Sequence, residues 1–120
     1  MPEKLEIKVL EGIVWASVSG RFSLENAKTF LLEILQRARA EGINKILIDA
    51  RGITAEISTI ARLEFGNYLV AENPYHTLIA IVGNQNAVWP DRFLENVLVN
   101  RAVDAKVVTE IKEALKWLTE

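Results

Sequence analysis

The side chains in this chain that could do chemistry are few, and their spacing narrows the choice. Asp49 and Arg51 stand two residues apart, after the apolar run Ile46-Leu47-Ile48 and before Gly52. An acid and a guanidinium so placed can pair with each other, brace a turn, or hold an anion or a partner. With no neighbouring base they are too little for acid–base catalysis. Ser58 and Thr59 stand at the head of a long amphipathic pattern. A hydroxyl there caps the helix, or it accepts a phosphoryl group whose charge the helix N-terminus tolerates. His76 is the only histidine and cysteine is absent. A metal site built on several imidazoles or thiolates therefore lacks its ligands, and no nucleophile sits in a Gly-x-Ser-x-Gly context. Gly83-Asn84-Gln85-Asn86 offers amides and backbone N–H groups to a polar ligand, without the glycine spacing and lysine of a phosphate loop. This inventory implies a non-enzymatic protein with no cofactor and no metal.

The bulk numbers agree with an interaction module. The chain has 120 residues, half of them hydrophobic and a quarter charged, which fits one domain over residues 1–120 with a full core. Fourteen basic and sixteen acidic side chains leave a net charge of −2, no general attraction for nucleic acid or an anionic membrane. No apolar run approaches the roughly 20 residues that span a bilayer. Met-Pro-Glu-Lys-Leu-Glu at the start lacks the apolar core of a signal peptide. The expectation is a cytoplasmic protein.

The elements that must position these residues follow from periodicity. Leu5 to Leu10 alternates apolar and charged residues, Glu11-Gly12 is a tight turn, and Ile13 to Ser19 returns as a strand carrying Trp15. The two form an antiparallel hairpin, the first strand at an edge with Glu6 and Lys8 keeping it wet. Gly20-Arg21-Phe22 connects to a helix from Leu24 to Glu41, capped by Ser23 and Gly42, with Phe30, Leu31, Ile34, Leu35 and Ala38 inward. Ile43 to Asp49 is a strand buried on both faces, ending in a loop from Asp49 to Thr54. A helix from Ser58 to Glu72 carries Ala61, Phe65, Tyr68 and Leu69 inward, with Ile57 and Ile60 near its start, and Asn73-Pro74 ends it. Thr77 to Val82 is another central strand. Pro90 opens a helix to Arg101, with Phe93, Leu94, Val97 and Leu98 inward, after Trp89. Lys106 to Val108 is a short strand, and Thr109 caps a last helix striped by Ile111, Ala114, Leu115 and Leu118, with Trp117 off the stripe. The fold class is α/β in the order β-β-α-β-α-β-α-β-α: a mostly parallel sheet of about five strands with four helices and an N-terminal antiparallel hairpin strand.

That order resembles the SpoIIAA-like fold of STAS-type domains. In their anti-sigma-factor-antagonist branch a buried strand ends in Asp, a Gly-containing loop follows, and an Asp-Ser-Ser-Gly tetrad opens the next helix. Placing Asp49 on the strand-terminal Asp and Gly52 on the loop glycine sets Ile57-Ser58-Thr59-Ile60 on the tetrad without a gap. The resemblance makes Ser58 the phosphoacceptor position and Thr59 the second hydroxyl, in a degenerate form whose flanking Asp and Gly are Ile57 and Ile60. The chain is also similar to small bacterial STAS/SEC14 domain proteins, through Asp49-Ala50-Arg51-Gly52, the segment from Phe93 to Arg101 and the ending Glu113-Ala114-Leu115-Lys116-Trp117-Leu118.

The resemblance implies a regulatory module with a protein partner of the kinase or sensor kind. Its surface would combine Arg21, Asp49, Arg51, Asn84 and Asn86 at the carboxyl ends of the strands, with Ser58 beside them. A homodimer through the hairpin edge or an apolar helix face fits the same expectation. The SEC14 likeness implies the alternative, a small apolar or lipid-like ligand in a cleft lined by Phe65, Tyr68, Phe93 and Val97.

Overall fold

Strict alternation at the N-terminus produces the first hairpin. In the computed structural model, which describes residues 4–21, 23–54, 58–72, 77–83 and 104–120, β1 (Lys4–Leu10) pairs antiparallel with β2 (Ile13–Arg21). Glu11 and Gly12 join them, both at positive φ (52° and 76°). That is the primed-turn geometry whose twist matches paired strands. Leu5, Ile7 and Val9 turn toward the core, while Lys4, Glu6 and Lys8 are exposed.

Helix α1 (Leu24–Glu41) forms where capping and stripe agree. The Ser23 side chain accepts the Asn26 N–H at 3.4 Å. Gly42, at φ 67°, takes the left-handed C-cap position, and Leu31, Ile34, Leu35 and Ala38 are buried. A residue with a Cβ would resist that backbone conformation. The next strand, β3 (Lys45–Thr54), runs parallel to β2. Helix α2 (Thr59–Ala71) leads to β4 (Leu78–Val82), and β5 (Ala105–Val108) precedes α3 (Ile111–Thr119). The sheet order is β1-β2-β3-β4-β5, parallel except at the first pair.

The sheet separates two cores. On one face α1 and α2 cover Val14, Ala16, Ile46, Ile48, Ile79, Ile81, Ala105 and Val107, with Leu69 fully buried among them. On the other, Ala114 and Leu118 of α3 cover Ile13, Leu47, Ala80, Val82 and Val108. The unbroken apolar runs of β3 and β4 thus reflect burial on both faces. Each fully buried Leu or Ile contributes about 1.5–3 kcal/mol over its exposed state. Arg39 ties the two helices of the first face together, its Nη2 donating to the Glu72 carbonyl at 3.1 Å beyond the end of α2. Among the described residues no helix is long and apolar enough to cross a membrane.

Two expectations need correction. The strand from Ile43 does not end at Asp49: β3 continues to Thr54, and Gly20 and Arg21 are strand residues opposite Ile53 and Thr54. Thr109 does not cap the last helix, whose N-cap is Glu110 with no side-chain bond. Ile60 is 69% exposed and lies outside the inward stripe of α2. Trp117 packs, half-buried, against the α3-side core together with Trp15. The helix expected over Pro90–Arg101, with Trp89, lies outside the described residues.

Candidate functional site

The site begins with an irregularity in the pairing of β2 and β3. Ser17 faces Asp49, but the next partners are Ser19 and Gly52. One residue of β2, Val18, therefore opposes two of β3, Ala50 and Arg51. This is a β-bulge, which re-aims every side chain beyond it. The register past the bulge puts Ile53, buried at 6%, opposite Gly20 on the α1–α2 face. Without the extra residue Ile53 would point to the other side.

The bulge is pinned from within. Arg51 donates its backbone N–H to Asp49 Oδ1 at 3.1 Å, Nε to the same oxygen at 2.9 Å, and Nη2 to Oδ2 at 3.0 Å. The fork grips both carboxylate oxygens while the main chain closes the loop. The Asp49 side chain is 17% exposed and that of Arg51 50%. Burial pushes the Asp49 carboxyl up, but the side-chain bond, the backbone N–H and the charge of Arg51 together outweigh it and hold the carboxyl below its usual range. The same side-chain bond raises Arg51 further. Bidentate geometry of this kind is stronger than an ordinary surface pair.

Gly52 completes the bulge by close approach. A Cβ built on it would stand 2.8 Å from the Ser19 Cβ and 3.3 Å from the Val18 carbonyl oxygen. Around these residues lies an open hollow of about 410 Å³, lined by Ser17, Val18, Ser19, Asp49, Arg51 and Gly52. Ser17 and Ser19 escaped the sequence reasoning. Their signal is the serines that interrupt the apolar run of β2 at alternate positions, on the side away from Val14 and Ala16.

The strand ends do not gather at one level. Val82, the last residue of β4, is paired with Asp49, whereas β2 and β3 run on to Arg21 and Thr54. A two-stranded ribbon thus projects about 13 Å beyond the end of β4, with the bulge at its base. Arg21 stands exposed at its tip. Gly83, whose N–H donates to the Val108 carbonyl at 2.9 Å, is back at the level of the bulge. Asp49 and Arg51 are thereby set apart from Arg21, and the single composite edge divides into a ribbon tip and a bulge. Asn84, Asn86 and His76 lie outside the described residues.

Ser58 is exposed directly before α2. Its Oγ accepts the Ala61 N–H at 3.0 Å, the bond of an N-cap. Thr59 is the first residue of the helix. Beside Ser58 the first turns of α2 show Ile60, 69% exposed, and Leu63, 37% exposed. Phe65 and Tyr68, expected along a ligand cleft, instead pack against the α1–α2 core, and Lys28 lies 5.7 Å from the centre of the Tyr68 ring. Phe93 and Val97 lie outside the described residues.

No family model matches the chain, and no curated protein matches it. Solved structures do. The crystal structure of an anti-sigma factor antagonist from Mycobacterium paratuberculosis superposes with a TM-score of 0.70 at 14% identity, covering 99% of this chain and 96% of that one. The NMR structure of the protein TM1081 gives a TM-score of 0.52 at 18% identity, covering 95% of this chain and 87% of the other. At such identities the likeness establishes architecture, and the architecture of this chain is the SpoIIAA-like, STAS-type α/β fold.

Proposed function

We propose that this protein is a non-enzymatic regulatory module that binds a protein partner through the start of α2. The observation that carries the proposal is the placing of exposed Ile60 and Leu63 beside the exposed hydroxyl of Ser58. An isolated exposed apolar residue is ordinary on any surface. Two of them in consecutive turns, next to a modifiable hydroxyl, make a contact point whose character one charge can change. The fold shared with an anti-sigma factor antagonist supports a partner-binding role.

Ser58 supplies the switch in this proposal. A kinase partner would transfer the γ-phosphoryl group of a nucleotide to Oγ, with loss of the hydroxyl proton. The phosphate oxygens retain an acceptor for the helix N–H groups, so α2 keeps its cap. What changes is the surface: about two negative charges arrive beside Ile60 and Leu63. A partner that buries those residues would then have to desolvate the phosphate.

The test is affinity capture from the source cells with the unaltered chain, Ser58→Ala and Ser58→Asp side by side, with intact-mass measurement of the native protein. The expected result is one protein captured by the first two and lost by Ser58→Asp, with a phosphate mass on Ser58 in some growth condition. Equal capture by all three variants, with no phosphate in any condition, would overturn the switch. The apolar-ligand alternative gains no support from Phe65 and Tyr68, which are committed to the core.

A further inference from the structure

The outer edge of β1 has a sequence that complements itself. The two-residue turn makes Leu10 and Ile13 a hydrogen-bonded pair, and the alternation of antiparallel ladders then makes Lys8–Trp15, Glu6–Ser17 and Lys4–Ser19 the other bonded pairs. The backbone N–H and C=O groups of Leu5, Ile7 and Val9 therefore point away from β2. Among the described residues β1 is the edge of the sheet, so they face outward.

We infer that this edge is a pairing surface for a second copy of the same chain, joined antiparallel about Ile7. In that register Ile7 meets Ile7, and Leu5 meets Val9 twice, all through outward-pointing backbone groups. The seven residues of β1 are matched from end to end. The charged positions fall in the non-bonded pairs, where side chains approach most closely. Glu6 meets Lys8 of the second copy, and Lys8 meets its Glu6. On the other face the half-buried row of Leu5, Ile7 and Val9 continues as an apolar stripe across the join.

Charge on an edge strand ordinarily deters pairing, and here it also selects the register. Shifting the second copy by two residues in one direction sets Glu6 against Glu6 and Lys4 against Lys8. Shifting it two the other way sets Lys8 against Lys8. Both place like charges at closest approach, which destabilises a cross-strand pair. A slip of one residue sets outward backbone groups against inward ones and breaks the ladder. The register about Ile7 alone combines full overlap, outward hydrogen bonds and two opposite-charge contacts. The Lys4–Glu6 ion pair at 3.0 Å involves side chains that are 70% and 68% exposed, so its exchange for an intermolecular pair costs little. The inference does not depend on the surface at Ser58, which lies on another element.

The experiment is sedimentation velocity on the full chain from micromolar to millimolar concentration, together with Glu6→Lys and Lys8→Glu. The unaltered chain is expected to pass from monomer to dimer as concentration rises. Each single variant sets like charges at both contacts and should weaken dimerisation by about tenfold or more. Mixed in equal amounts, the two variants should form a heterodimer. Glu6→Lys carries lysine at both positions and Lys8→Glu carries glutamate at both, so opposite charges meet at each contact. That recovery also shows that both variants are folded. A monomer throughout for the unaltered chain would overturn the inference, as would single variants that dimerise undiminished or a mixture that stays monomeric. Capture by a partner at Ser58 would be unaffected by any of these results.

Discussion

Gly52 lies directly across from Ser19, so near that a Cβ on the glycine would meet the Ser19 Cβ at 2.8 Å. The two backbones of the ribbon can approach this closely only because one partner lacks a side chain. Gly52→Ala should therefore cost about 1–3 kcal/mol, the range for forced overpacking. In Gly52→Ala with Ser19→Gly the Cβ in the way is gone, and most of that loss should return. Urea unfolding of the two single variants and the double variant measures the coupling. Additive losses would show that the contact is not the cause.

The Asp49–Arg51 pair makes a pH prediction whose sign follows from its surroundings. Asp49 is held below its usual range in the folded protein, so it binds its proton more weakly than in the unfolded chain. Its contribution is complete above the unfolded value of about 3.9 and is lost as pH falls through the lower folded value. For a partly exposed pair the amount is about 1 kcal/mol. Arg51→Gln removes the charge and the fork and leaves two opposed influences, burial, which pushes Asp49 up, and the weaker pull of the residue 51 backbone N–H, which lowers it. The Asp49 titration, followed by carboxyl carbon NMR, should then move from below the ordinary value to above it. With that reversal the variant should gain relative stability on mild acidification, where the unaltered protein loses it. An Asp49 that titrates alike in both proteins would remove Arg51 as the cause.

Much of this was legible in the sequence wherever local and global preferences agree. The hairpin around Glu11-Gly12, the helix between Ser23 and Gly42, and the double burial of Ile46-Leu47-Ile48 each combine a periodic pattern with the right punctuation. The extension of β3 was not legible, because Asp49, Arg51 and Gly52 have the chemistry of a turn. They serve a bulge, which uses the same residue types to insert one residue without reversing the chain. Thr109 has the right type for a cap but stands one residue early, and Glu110 takes the position with no side-chain bond. At the candidate site, Ser58 was recognisable from its place before an amphipathic run. The exposure of Ile60 was not, since an isoleucine near a helix start gives no sign of which side it faces.

Ser58 offers a separation of stability from signalling. Its Oγ caps α2 through the Ala61 N–H, so Ser58→Ala should cost about 1 kcal/mol in thermal or urea unfolding. Ser58→Asp should cost almost nothing, because Asp is as good an N-cap and its charge suits the helix N-terminus. The stability order is thus the unaltered chain and Ser58→Asp together, with Ser58→Ala below. The order expected for partner capture is different, with Ser58→Asp lowest. If capture simply followed stability, Ser58 would be a cap and nothing more.

Within α2, exposure divides the helix into a stability half and a contact half. Leu69 is fully buried, and Leu69→Ala should cost about 2–5 kcal/mol through lost burial and the cavity left behind. Ile60 is 69% exposed, and Ser has a helix propensity close to that of Ile. Ile60→Ser should therefore leave unfolding within about 0.5 kcal/mol of the unaltered protein. The same substitution removes the larger of the two apolar exposures beside Ser58, so it should reduce capture of the partner while the fold stays intact. Circular dichroism with denaturant checks the first expectation and the capture assay the second. A large stability loss would mean that Ile60 is covered in solution, and unchanged capture would move the partner surface away from the start of α2.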